Sequence, residues 1–422
     1  MNELTGLQVY KFGGASVKDA AAIHNLSHIE EHSGTAPLLV VVSAMGKTTN
    51  ALEVLFQLAY EGKDYAAGLR ELRDFHLRVA AELASPPFDL AGRPAPPVLV
   101  ELLTDLTDQL ATVGPGDYDR QYDQVVCFGE LLATVIVAEA LGAQWLDCRP
   151  LIRTDRNWRE GRVDWPTTER SIRSVLPPLL AKGTVVTQGF LGGTATGVTT
   201  TLGREGSDYT AAIFAYCLQA EGVTIWKDVA GLLNADPKIF PDTVRYPEIS
   251  YRESIEMAYY GASVIHPKTI KPLAERRIPL WVKSFVNPTA EGTIIHDCQH
   301  PPLAPAFIRK TDQCLISFES KDFAFISEEN LEVIFGALAQ ARLKINVMQN
   351  SAISFSVCTD FSERQVTKLL EILSEQFIIH YNSGLMLFTI KNYDTASVAL
   401  LTTGKMLLLE QRTRGTFQFV CE

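Results

Sequence analysis

The stretch "LQVYKFGGASVKD", Leu7–Asp19, runs from apolar residues through one lysine, Lys11, into a pair of glycines. Glycines at the end of a strand let backbone N–H groups approach a ligand closely, and consecutive N–H groups form a nest for an anion. A helix beginning near Val17 would add its positive end, and lysine is a compact charge that reaches a phosphate. The stretch therefore predicts a buried strand that opens onto a phosphate site. The alternative is a lysine directed to solvent above a tight turn, and we expect a strand-end lysine to bury little surface.

Further apolar runs resemble Leu7–Phe12 in composition and pattern. They are rich in Val, Ile and Leu and mostly do not alternate, which is typical of parallel strands covered on both faces. Helical patterns lie between them, so the first two-thirds of the chain predict an α/β domain. The proline-rich segment Ser85–Pro97 predicts a loop. The predicted strands are Leu38–Ser43, Thr184–Gln188, Thr224–Lys227 and Leu280–Phe285, and the predicted helices include Ala51–Tyr60, Leu69–Leu83 and Glu130–Leu141.

The composition of the chain limits the classes of protein to which it can belong. A chain of 422 residues, 46% of them hydrophobic, is long enough for two or three domains. The formal net charge of -11 disfavours a nucleic-acid surface as the main function. The seven cysteines are odd in number and lack CxxC spacing, which favours reduced thiols in a cytoplasmic protein. We expect no signal peptide, and no membrane span because no run of about 18 apolar residues is evident.

The prolines of "CQHPPLAPA", Cys298–Ala306, predict a connection between domains. After this connection, short strands and helices follow a pattern resembling two copies of a small β-α-β-β unit. The second copy is the more compressed.

The stretch "VVVSAMGKTTN", Val40–Asn50, is not a phosphate-binding Walker A motif, because Val41 stands where that motif needs glycine. A strand running into a turn with hydroxyls at Ser43, Thr48 and Thr49 still suits a polar ligand at the carboxyl end of a parallel sheet. The alternative is that Thr48, Thr49 or Asn50 caps the next helix. Both readings stay open.

Three later stretches carry charged or glycine-rich patterns. Gly189–Ala215 holds five glycines before the charged cluster Arg204, Glu205 and Asp208, and predicts either a loop over phosphates or a flexible surface hairpin. Val223–Asp242 ends in "NADPK", which predicts either a turn that lines a pocket or a plain Asp-Pro turn. "CFGELL", Cys127–Leu132, places Glu130 in the first turn of an apolar helix, where an acid ordinarily complements the helix dipole.

These stretches together, with "YYGASVIHPKTI", closely resemble the aspartate kinases of the amino-acid kinase family in both motif and order. The resemblance runs from Lys11 to about Thr293, and the tail resembles the paired ACT domains of the same family. It implies an amino-acid kinase fold, a mainly parallel sheet covered by helices on both faces, followed by paired α+β ACT-like units. The implied domains are 1–297 for catalysis and 307–422 for regulation, the latter split near 307–376 and 377–422 with interleaving allowed.

The resemblance implies that ATP, with Mg²⁺, phosphorylates the side-chain carboxylate of L-aspartate to 4-phospho-L-aspartate. This is the first step towards lysine, threonine and methionine. An aspartate carboxylate is already ionised at pH 7, so the nucleophile needs no general base. The protein has to neutralise and align the phosphates instead. A cytoplasmic homodimer, paired through the ACT-like units and without membrane or nucleic-acid partners, is expected.

The resemblance also implies roles for individual residues. Lys11 meets the phosphates and Asp208 holds Lys11 in place. Arg204 binds a substrate carboxylate and Glu130 the ammonium, because free aspartate needs a forked cation and an acid. The substrate pocket is completed by Thr49, Phe190 and Ser207, and the nucleotide contacts are Lys11, Gly13, Gly14, Ser16, Lys227, Asp228, Leu233, Asp236 and Lys238. No residue is predicted to bind a metal directly.

The chain departs from its relatives at several positions. Glu205 stands where most have glycine, Ser263 where many have lysine, and Lys227 where many have Thr or Ser. We expect Lys227 or Lys268 to replace the lost cation, Glu205 to matter little if it points to solvent, and His266 to be structural.

The regulatory tail departs further. Lysine-inhibited relatives have an aspartate where this chain has Asn346 and a glutamate where it has Ala352. They also have a glycine turn in place of Glu328, Glu329 and Asn330.

Two rival functions are weaker. Another amino-acid kinase, acting on glutamate or N-acetylglutamate, is disfavoured by "GREGSDYTAA" and by the ACT-like tail. A non-catalytic amino-acid sensor would be expected to have lost Lys11 or Asp208, and this chain keeps both. A fused homoserine dehydrogenase is not expected, since no downstream GxGxxG pattern follows.

Overall fold

The computed structural model describes residues 4–84, 95–262, 265–299, 303–321 and 324–422. Most of the predicted loop Ser85–Pro97, and also Ser263, lie outside the described residues. The chain forms two compact units. The first comprises Met1–Leu232, Pro247–Ile255 and Val264–Gln299, and the second comprises Leu233–Tyr246, Glu256–Ser263 and His300–Glu422. The predicted domain limits, 1–297 and 307–422, thus differ from these units by two short stretches that group with the second.

The first unit is built on an eight-stranded sheet in the order β3-β4-β2-β1-β7-β9-β10-β8. All neighbouring pairs are parallel except β9 and β10. A separate two-stranded hairpin, β5–β6, is antiparallel. The strands are β1 Gln8–Phe12, β2 Leu38–Val42, β3 Gln144–Leu146, β4 Val185–Gln188, β5 Leu191–Gly193, β6 Thr199–Thr201, β7 Gly222–Lys227, β8 Glu248–Ser250, β9 Leu280–Ser284 and β10 Thr293–His296.

Ten helices accompany these strands in the described chain up to residue 299. The three helices predicted as Ala51–Tyr60, Leu69–Leu83 and Glu130–Leu141 are present and begin two or three residues earlier than expected, whereas the helix expected near Val17 begins later, at Ala20. The helices are α1 Ala20–Glu31, α2 Thr48–Tyr60, α3 Ala66–Leu83, α4 Pro97–Ala111, α5 Tyr118–Val126, α6 Phe128–Leu141, α7 Trp165–Leu180, α8 Gly206–Leu218, α9 Tyr251–Tyr260 and α10 Pro267–Arg276.

Burial explains why the central strands are apolar along their whole length. All five residues of β2 are buried, as expected for a strand covered on both faces. The fold class predicted from the sequence, α/β with a mainly parallel sheet, is therefore confirmed. The stretch Tyr118–Leu141 is long and apolar enough to cross a membrane by length and composition alone. It corresponds to α5 and α6, its most apolar window is 78% buried within the protein, and core helices pass the same test.

The glycine-rich stretch after β4 is neither a phosphate loop along its length nor a flexible hairpin. It forms β5 and β6, whose six residues are all buried. A Cβ on Gly193 would lie 2.6 Å from the Arg149 carbonyl oxygen, and one on Gly192 would lie 2.8 Å from the Thr154 side chain. These glycines are required for close packing.

The second unit contains one antiparallel sheet of six strands in the order β12-β13-β11-β14-β16-β15. Its helices include α11, which begins with a capping box between Ser327 and Asn330. The elements are β11 Ala306–Ser320, α11 Glu328–Ala341, β12 Ile345–Asn350, β13 Ser354–Asp360, α12 Glu363–Leu373, β14 Phe377–Lys391, α13 Thr395–Thr402, β15 Leu407–Arg412 and β16 Thr416–Cys421.

Two long strands, β11 and β14, run through both halves of this sheet. Register shifts between Lys310 and Leu315 divide their pairing into two segments. On one side β11 pairs with β13, and on the other β14 pairs with β16. Each half has its own core, with Phe318 and Leu369 in one and Phe388 and Phe417 in the other. The two ACT-like units expected from the sequence are therefore interleaved through shared strands.

Candidate active site

A cavity of about 560 Å³ lies in the first unit where four neighbouring parallel strands, β4, β2, β1 and β7, end. The carboxyl ends of parallel strands meet at one edge of a sheet, and α/β proteins bind their ligands there. Nine residues predicted from the sequence line the cavity: Lys11, Gly14, Thr49, Glu130, Phe190, Arg204, Ser207, Asp208 and Lys227.

Asp208, in the first turn of α8, binds two lysines at once. Its Oδ1 lies 2.7 Å from Lys11 Nζ, and its Oδ2 lies 3.3 Å from Lys227 Nζ. Burial alone would raise the pKa of Asp208, but the charges of the two lysines outweigh it and hold the pKa below its ordinary value. The carboxylate therefore stays ionised and fixes two cations at one point. Lys11 is only 8% exposed, so the expectation that it buries little surface is wrong.

The glycine pair after β1 forms a 3₁₀ turn, Gly14–Val17, and α1 begins later, at Ala20, capped by Asp19. A Cβ on Gly14 would lie 2.7 Å from the Ala44 carbonyl oxygen, and the Gly46 N–H donates to the Gly14 carbonyl at 3.0 Å. The turn is thus packed against the loop after β2. Gly13 and Ser16, also predicted to bind nucleotide, do not line the cavity, and Ser16 is buried.

The loop after β2 leads into α2, which begins at Thr48. Its N-cap is Lys47, and no side chain caps it. The prediction that Thr48, Thr49 or Asn50 caps this helix is therefore wrong. Thr49 lines the cavity instead.

Glu130 is buried in the first turn of α6. Its Oε1 accepts a hydrogen bond from the Ala44 N–H at 3.1 Å. Its Oε2 is buried without a hydrogen-bond partner in the described chain. Burial raises the pKa of Glu130 to about 8, and the Ala44 N–H and the charge of Lys11 only partly oppose this. An unpaired, buried acceptor on the wall of a cavity fits a ligand that brings a cationic donor.

Arg204 and Glu205 lie side by side just before α8 and both line the cavity. Arg204 is exposed, which leaves its guanidinium accessible to a ligand. Glu205 does not point freely to solvent, because its Oε2 accepts from the His266 N–H at 2.8 Å and burial raises its pKa. Its backbone is left-handed, with φ of 53°, where a glycine would be relaxed.

Close packing surrounds the pocket side chains Phe190 and Ser207. A Cβ on Gly206 would lie 2.6 Å from the Phe190 ring, and a Cβ on Gly189 would lie 2.4 Å from the Ser207 side chain. Phe190 has a φ of 68°, and its N–H donates to Thr210 Oγ1 at 2.9 Å. The two glycines thus permit these side chains to stand against the cavity.

Among the lining residues that were not predicted as site residues are Glu53, Tyr122 and Arg159, which contact one another. The Arg159 guanidinium lies 4.1 Å from the centre of the Tyr122 ring, and the Tyr122 hydroxyl donates to Glu53. Burial, followed by the Glu53 contact, raises the pKa of Tyr122 well above its ordinary value. No local sequence pattern predicts that these three residues share one site. The arginine lies in a polar loop, and the glutamate and the tyrosine lie in two different helices.

The remaining predicted nucleotide contacts do not line this cavity. Asp228 is exposed just after β7. Leu233, Asp236 and Lys238 belong to the second unit, where Asp236 forms a turn by accepting from the Lys238 N–H at 2.9 Å. The nucleotide roles of these four residues stay predictions.

His266 and Lys268 make contacts that support the surrounding structure. His266 caps α10 by accepting from the Lys268 N–H, which agrees with the structural role expected for it. Lys268 donates its ammonium to the Leu202 carbonyl at 2.7 Å. Of the two candidates for the lost cation, Lys227 is the one that reaches Asp208 and the cavity.

Comparison with known proteins agrees with this site. The model of the amino acid kinase family matches residues 6–284. The chain is 33% identical over 363 residues to lysine-sensitive aspartokinase 3 of Escherichia coli, covering 85% of this chain and 79% of that protein. It is 30% identical to a bifunctional aspartokinase/homoserine dehydrogenase of maize, covering 87% of this chain and 41% of the longer protein.

A solved structure extends the likeness to the whole fold. The crystal structure of E. coli aspartokinase III in complex with aspartate and ADP matches with a TM-score of 0.81 and 29% identity. The match covers 98% of this chain and 96% of that one. By its sequence, its fold and the residues gathered at the end of its sheet, the chain belongs to the aspartokinases of the amino acid kinase family.

Proposed function

We propose that the protein transfers the terminal phosphoryl group of ATP to the side-chain carboxylate of L-aspartate, giving 4-phospho-L-aspartate for amino-acid biosynthesis. The observation that carries this proposal is one cavity that combines two lysines held by a buried aspartate with an unpaired buried glutamate and an exposed arginine. The first set of charges suits phosphates, and the second suits an amino acid.

The reaction needs alignment and charge neutralisation more than proton transfer. The attacking carboxylate is ionised at neutral pH, and its repulsion by the triphosphate is the obstacle. Lys11 and Lys227 lie at the ends of adjacent strands and are held by the same carboxylate, so their positions are fixed before substrate binds. Preorganised charges of this kind stabilise the transferring phosphoryl group without reorganisation.

Mg²⁺ is proposed to accompany ATP. Bound to the phosphate oxygens, it supplies further neutralisation of their charge. The carboxylate nearest the lysines, Asp208, is occupied by both of them, which fits a metal carried mainly by the nucleotide.

Aspartate is proposed to bind between Glu130 and the arginine side of the cavity. The free Oε2 of Glu130 would accept from the substrate ammonium, with the proton on Glu130 released as the ion pair forms. Arg204 would bind a substrate carboxylate in a forked arrangement. Arg159 lines the same cavity and is the second candidate for a carboxylate contact.

A coupled assay of ADP release tests the function directly. With ATP and Mg²⁺, aspartate should support turnover, and glutamate should support far less because its longer side chain displaces the carboxylate from the phosphate. Trapping the acyl phosphate with hydroxylamine should give aspartate hydroxamate. ADP release that does not depend on aspartate, or that is as fast with glutamate, would contradict the proposal.

We also propose a cytoplasmic homodimer that pairs through the second unit and has no membrane or nucleic-acid partner. Large apolar side chains exposed on this unit support the pairing, among them Phe325, Met348 and Ile353. Light scattering coupled to size exclusion tests it, and a monomer at micromolar concentration would contradict it.

A further inference from the structure

A second cluster of reactive side chains lies in the first unit, away from the active site. Glu248 begins β8 at the edge of the large sheet, His296 ends β10 beside it, and Cys298 follows two residues later. The parallel register pairs Glu248 with Ile294, two residues before His296. Since alternate residues of a strand point to the same face, this register places Glu248 and His296 on one face of the sheet. None of the three residues lines the catalytic cavity.

The three potential ligand atoms converge. The His296 Nε2 lies 3.2 Å from Glu248 Oε2, and the ligand atoms of all three residues lie within 4.8 Å of one another. Ligands of a tetrahedral zinc ion, at bond lengths of about 2.0–2.3 Å, stand about 3.3–3.8 Å apart. Small side-chain rotations would therefore bring the three atoms to bonding positions. The side chains of Glu248 and His296 are 43% and 31% exposed, so an ion can enter from solvent.

We propose that Glu248, His296 and Cys298 form a binding site for Zn²⁺, with a fourth position open to water. A thiolate, an imidazole and a carboxylate are the ligand types that zinc prefers, whereas Mg²⁺ and Ca²⁺ favour oxygen ligands alone.

The electrostatic surroundings favour a cation. The carboxylates of Glu248, Asp297 and Glu253 act electrostatically on Cys298, so the cluster is surrounded by negative charge. A divalent ion at this point would favour the thiolate, because the charge of the ion dominates its local field. Metal binding should accordingly release protons and strengthen as the pH rises.

The bound ion would stabilise the edge of the sheet. The edge strand β8 has only three residues, and its neighbour in the sheet is β10. A metal shared by Glu248, His296 and Cys298 would join both strands to the chain that follows β10. The site would thus be structural, and turnover of aspartate and ATP should not require it.

The chain offers its own controls. All seven cysteines lie in the described part of the chain, and Cys298 is the one that is not buried. A second cluster, His28, Glu31 and His32 at the end of α1, also has metal-binding spacing but is exposed and lacks a thiol. The double variant His28→Gln/His32→Gln therefore removes the competing surface site without touching the proposed one.

Cobalt titration of the full-length chain, stripped with a chelator and kept reduced, tests the site. Co²⁺ should give a thiolate charge-transfer band that saturates at one equivalent, that Zn²⁺ abolishes, and that persists in His28→Gln/His32→Gln. Cys298→Ser should lose the band. Glu248→Gln and His296→Gln should each weaken binding by at least about tenfold, since even partners beyond the metal ligands are worth about 10–100-fold in affinity.

The proposal would be overturned if the unchanged chain gave no thiolate band, or if binding disappeared with His28 and His32. Modification of Cys298 by a thiol reagent provides a readout that needs no substitution. At about ten times its dissociation constant, Zn²⁺ should slow this modification about tenfold, because only protein without the bound ion reacts. An unchanged rate would also overturn the proposal. Kinase turnover measured in the same samples should be equal in Cys298→Ser and the unchanged chain.

Discussion

Asp208 serves as the shared counter-ion of two lysines, and this determines what each lysine contributes. With Lys11 removed, Asp208 would retain Lys227, so the buried carboxylate would not be left without a cation. The fold should therefore tolerate the loss of Lys11 better than catalysis does. The lysine-rich end of the site can thus be tested by substitution with limited risk of unfolding.

We predict that Lys11→Met lowers kcat by at least about a hundredfold, the scale for one preorganised charge donor. Methionine retains the apolar stem that is buried at this position. Steady-state kinetics measures the effect, and thermal unfolding checks the fold. Lys18→Met is the matched control, since Lys18 is an exposed lysine close to the same turn. Near-normal turnover of Lys11→Met would rule out the assigned role.

Substitutions of charged residues should distinguish the end of the cavity that binds aspartate from the end that binds ATP. Arg204→Ala and Glu130→Ala should raise the KM for aspartate far more than the KM for ATP, because each leaves a charged group of aspartate unpaired. The two KM values measured in one series provide the internal control. Equal increases in both would show that these residues bind the other ligand. The variant Glu205→Gly would remove the hydrogen bond that Glu205 accepts from the His266 N–H.

The pH dependence of aspartate use should report on Glu130. Its pKa in the free protein is raised to about 8, and only the ionised form pairs with an ammonium group. We therefore predict that kcat/KM for aspartate rises with pH up to about 8 and then levels off, while the substrate ammonium stays charged. Glu130→Gln should lower kcat/KM and abolish this rise.

Stability should change in the opposite direction with pH. The folded protein holds a proton on Glu130 that the unfolded chain loses near 4.5, so this residue's contribution to stability declines as the pH rises from there towards about 8. Aspartate should raise the thermal midpoint most above pH 8. A midpoint shift that does not vary with pH would contradict the pairing.

At the scale of elements, the site depends on two loops that touch each other. The turn after β1 packs against the loop after β2 through Gly14 and Gly46, and this contact leaves no room for a Cβ at Gly14. Gly13 is different: its backbone is extended, and a Cβ there would make only an ordinary contact of 3.5 Å with Lys11 Nζ. Packing thus requires glycine at position 14, whereas position 13 has room for an alanine.

We predict that Gly14→Ala lowers both stability and activity, because the new methyl would meet the Ala44 carbonyl and force the two loops apart. The expected loss of stability is about 1–3 kcal/mol, as for overpacking elsewhere. Gly13→Ala is the matched control and should fold normally. Equal unfolding midpoints for the two variants would show that the loops are not held in this contact.

Sequence patterns predicted the elements better than the contacts between them. The apolar strands and the helices were predictable because burial leaves a periodic signal. The two glycines of β5 were interpreted as part of a phosphate loop or a flexible hairpin. They are needed for close packing instead, and both functions give the same sequence pattern. The pairing of Lys11 with Asp208 joins residues far apart in the chain and came from family resemblance, whereas Arg159 had no such support.

At the scale of the whole molecule, the second unit is the region that family resemblance predicts to be regulatory. Asn346, which the family resemblance places where lysine-inhibited relatives have an aspartate, is hydrogen-bonded within this unit. Its amide donates to Gln313 at 2.8 Å and to Asp360 at 3.0 Å, and its oxygen accepts from Lys310 at 2.9 Å. Glu328 and Glu329 are exposed in the first turn of α11, as a solvated cap. The carboxylates that would meet a second ammonium group are thus absent or turned to water.

We predict weak or no inhibition by lysine, although the E. coli relative is named for its sensitivity to it. Each lost charge-assisted bond is worth about 1.5–3 kcal/mol, roughly ten- to hundredfold in affinity. Threonine, with one ammonium group, is the more plausible effector. Titrating each amino acid separately against the initial rate decides this, and half-inhibition by submillimolar lysine would refute it.

The shared strands β11 and β14 make the regulatory region indivisible. Since both strands run through both halves of the six-stranded sheet, cutting the chain after residue 376 would leave β11 in one piece and β14 in the other, and their pairing along both halves would be broken. Neither half could be inherited, lost or exchanged as a separate module. The region should therefore evolve and unfold as one piece, and any strain imposed on one half is carried along continuous backbone into the other.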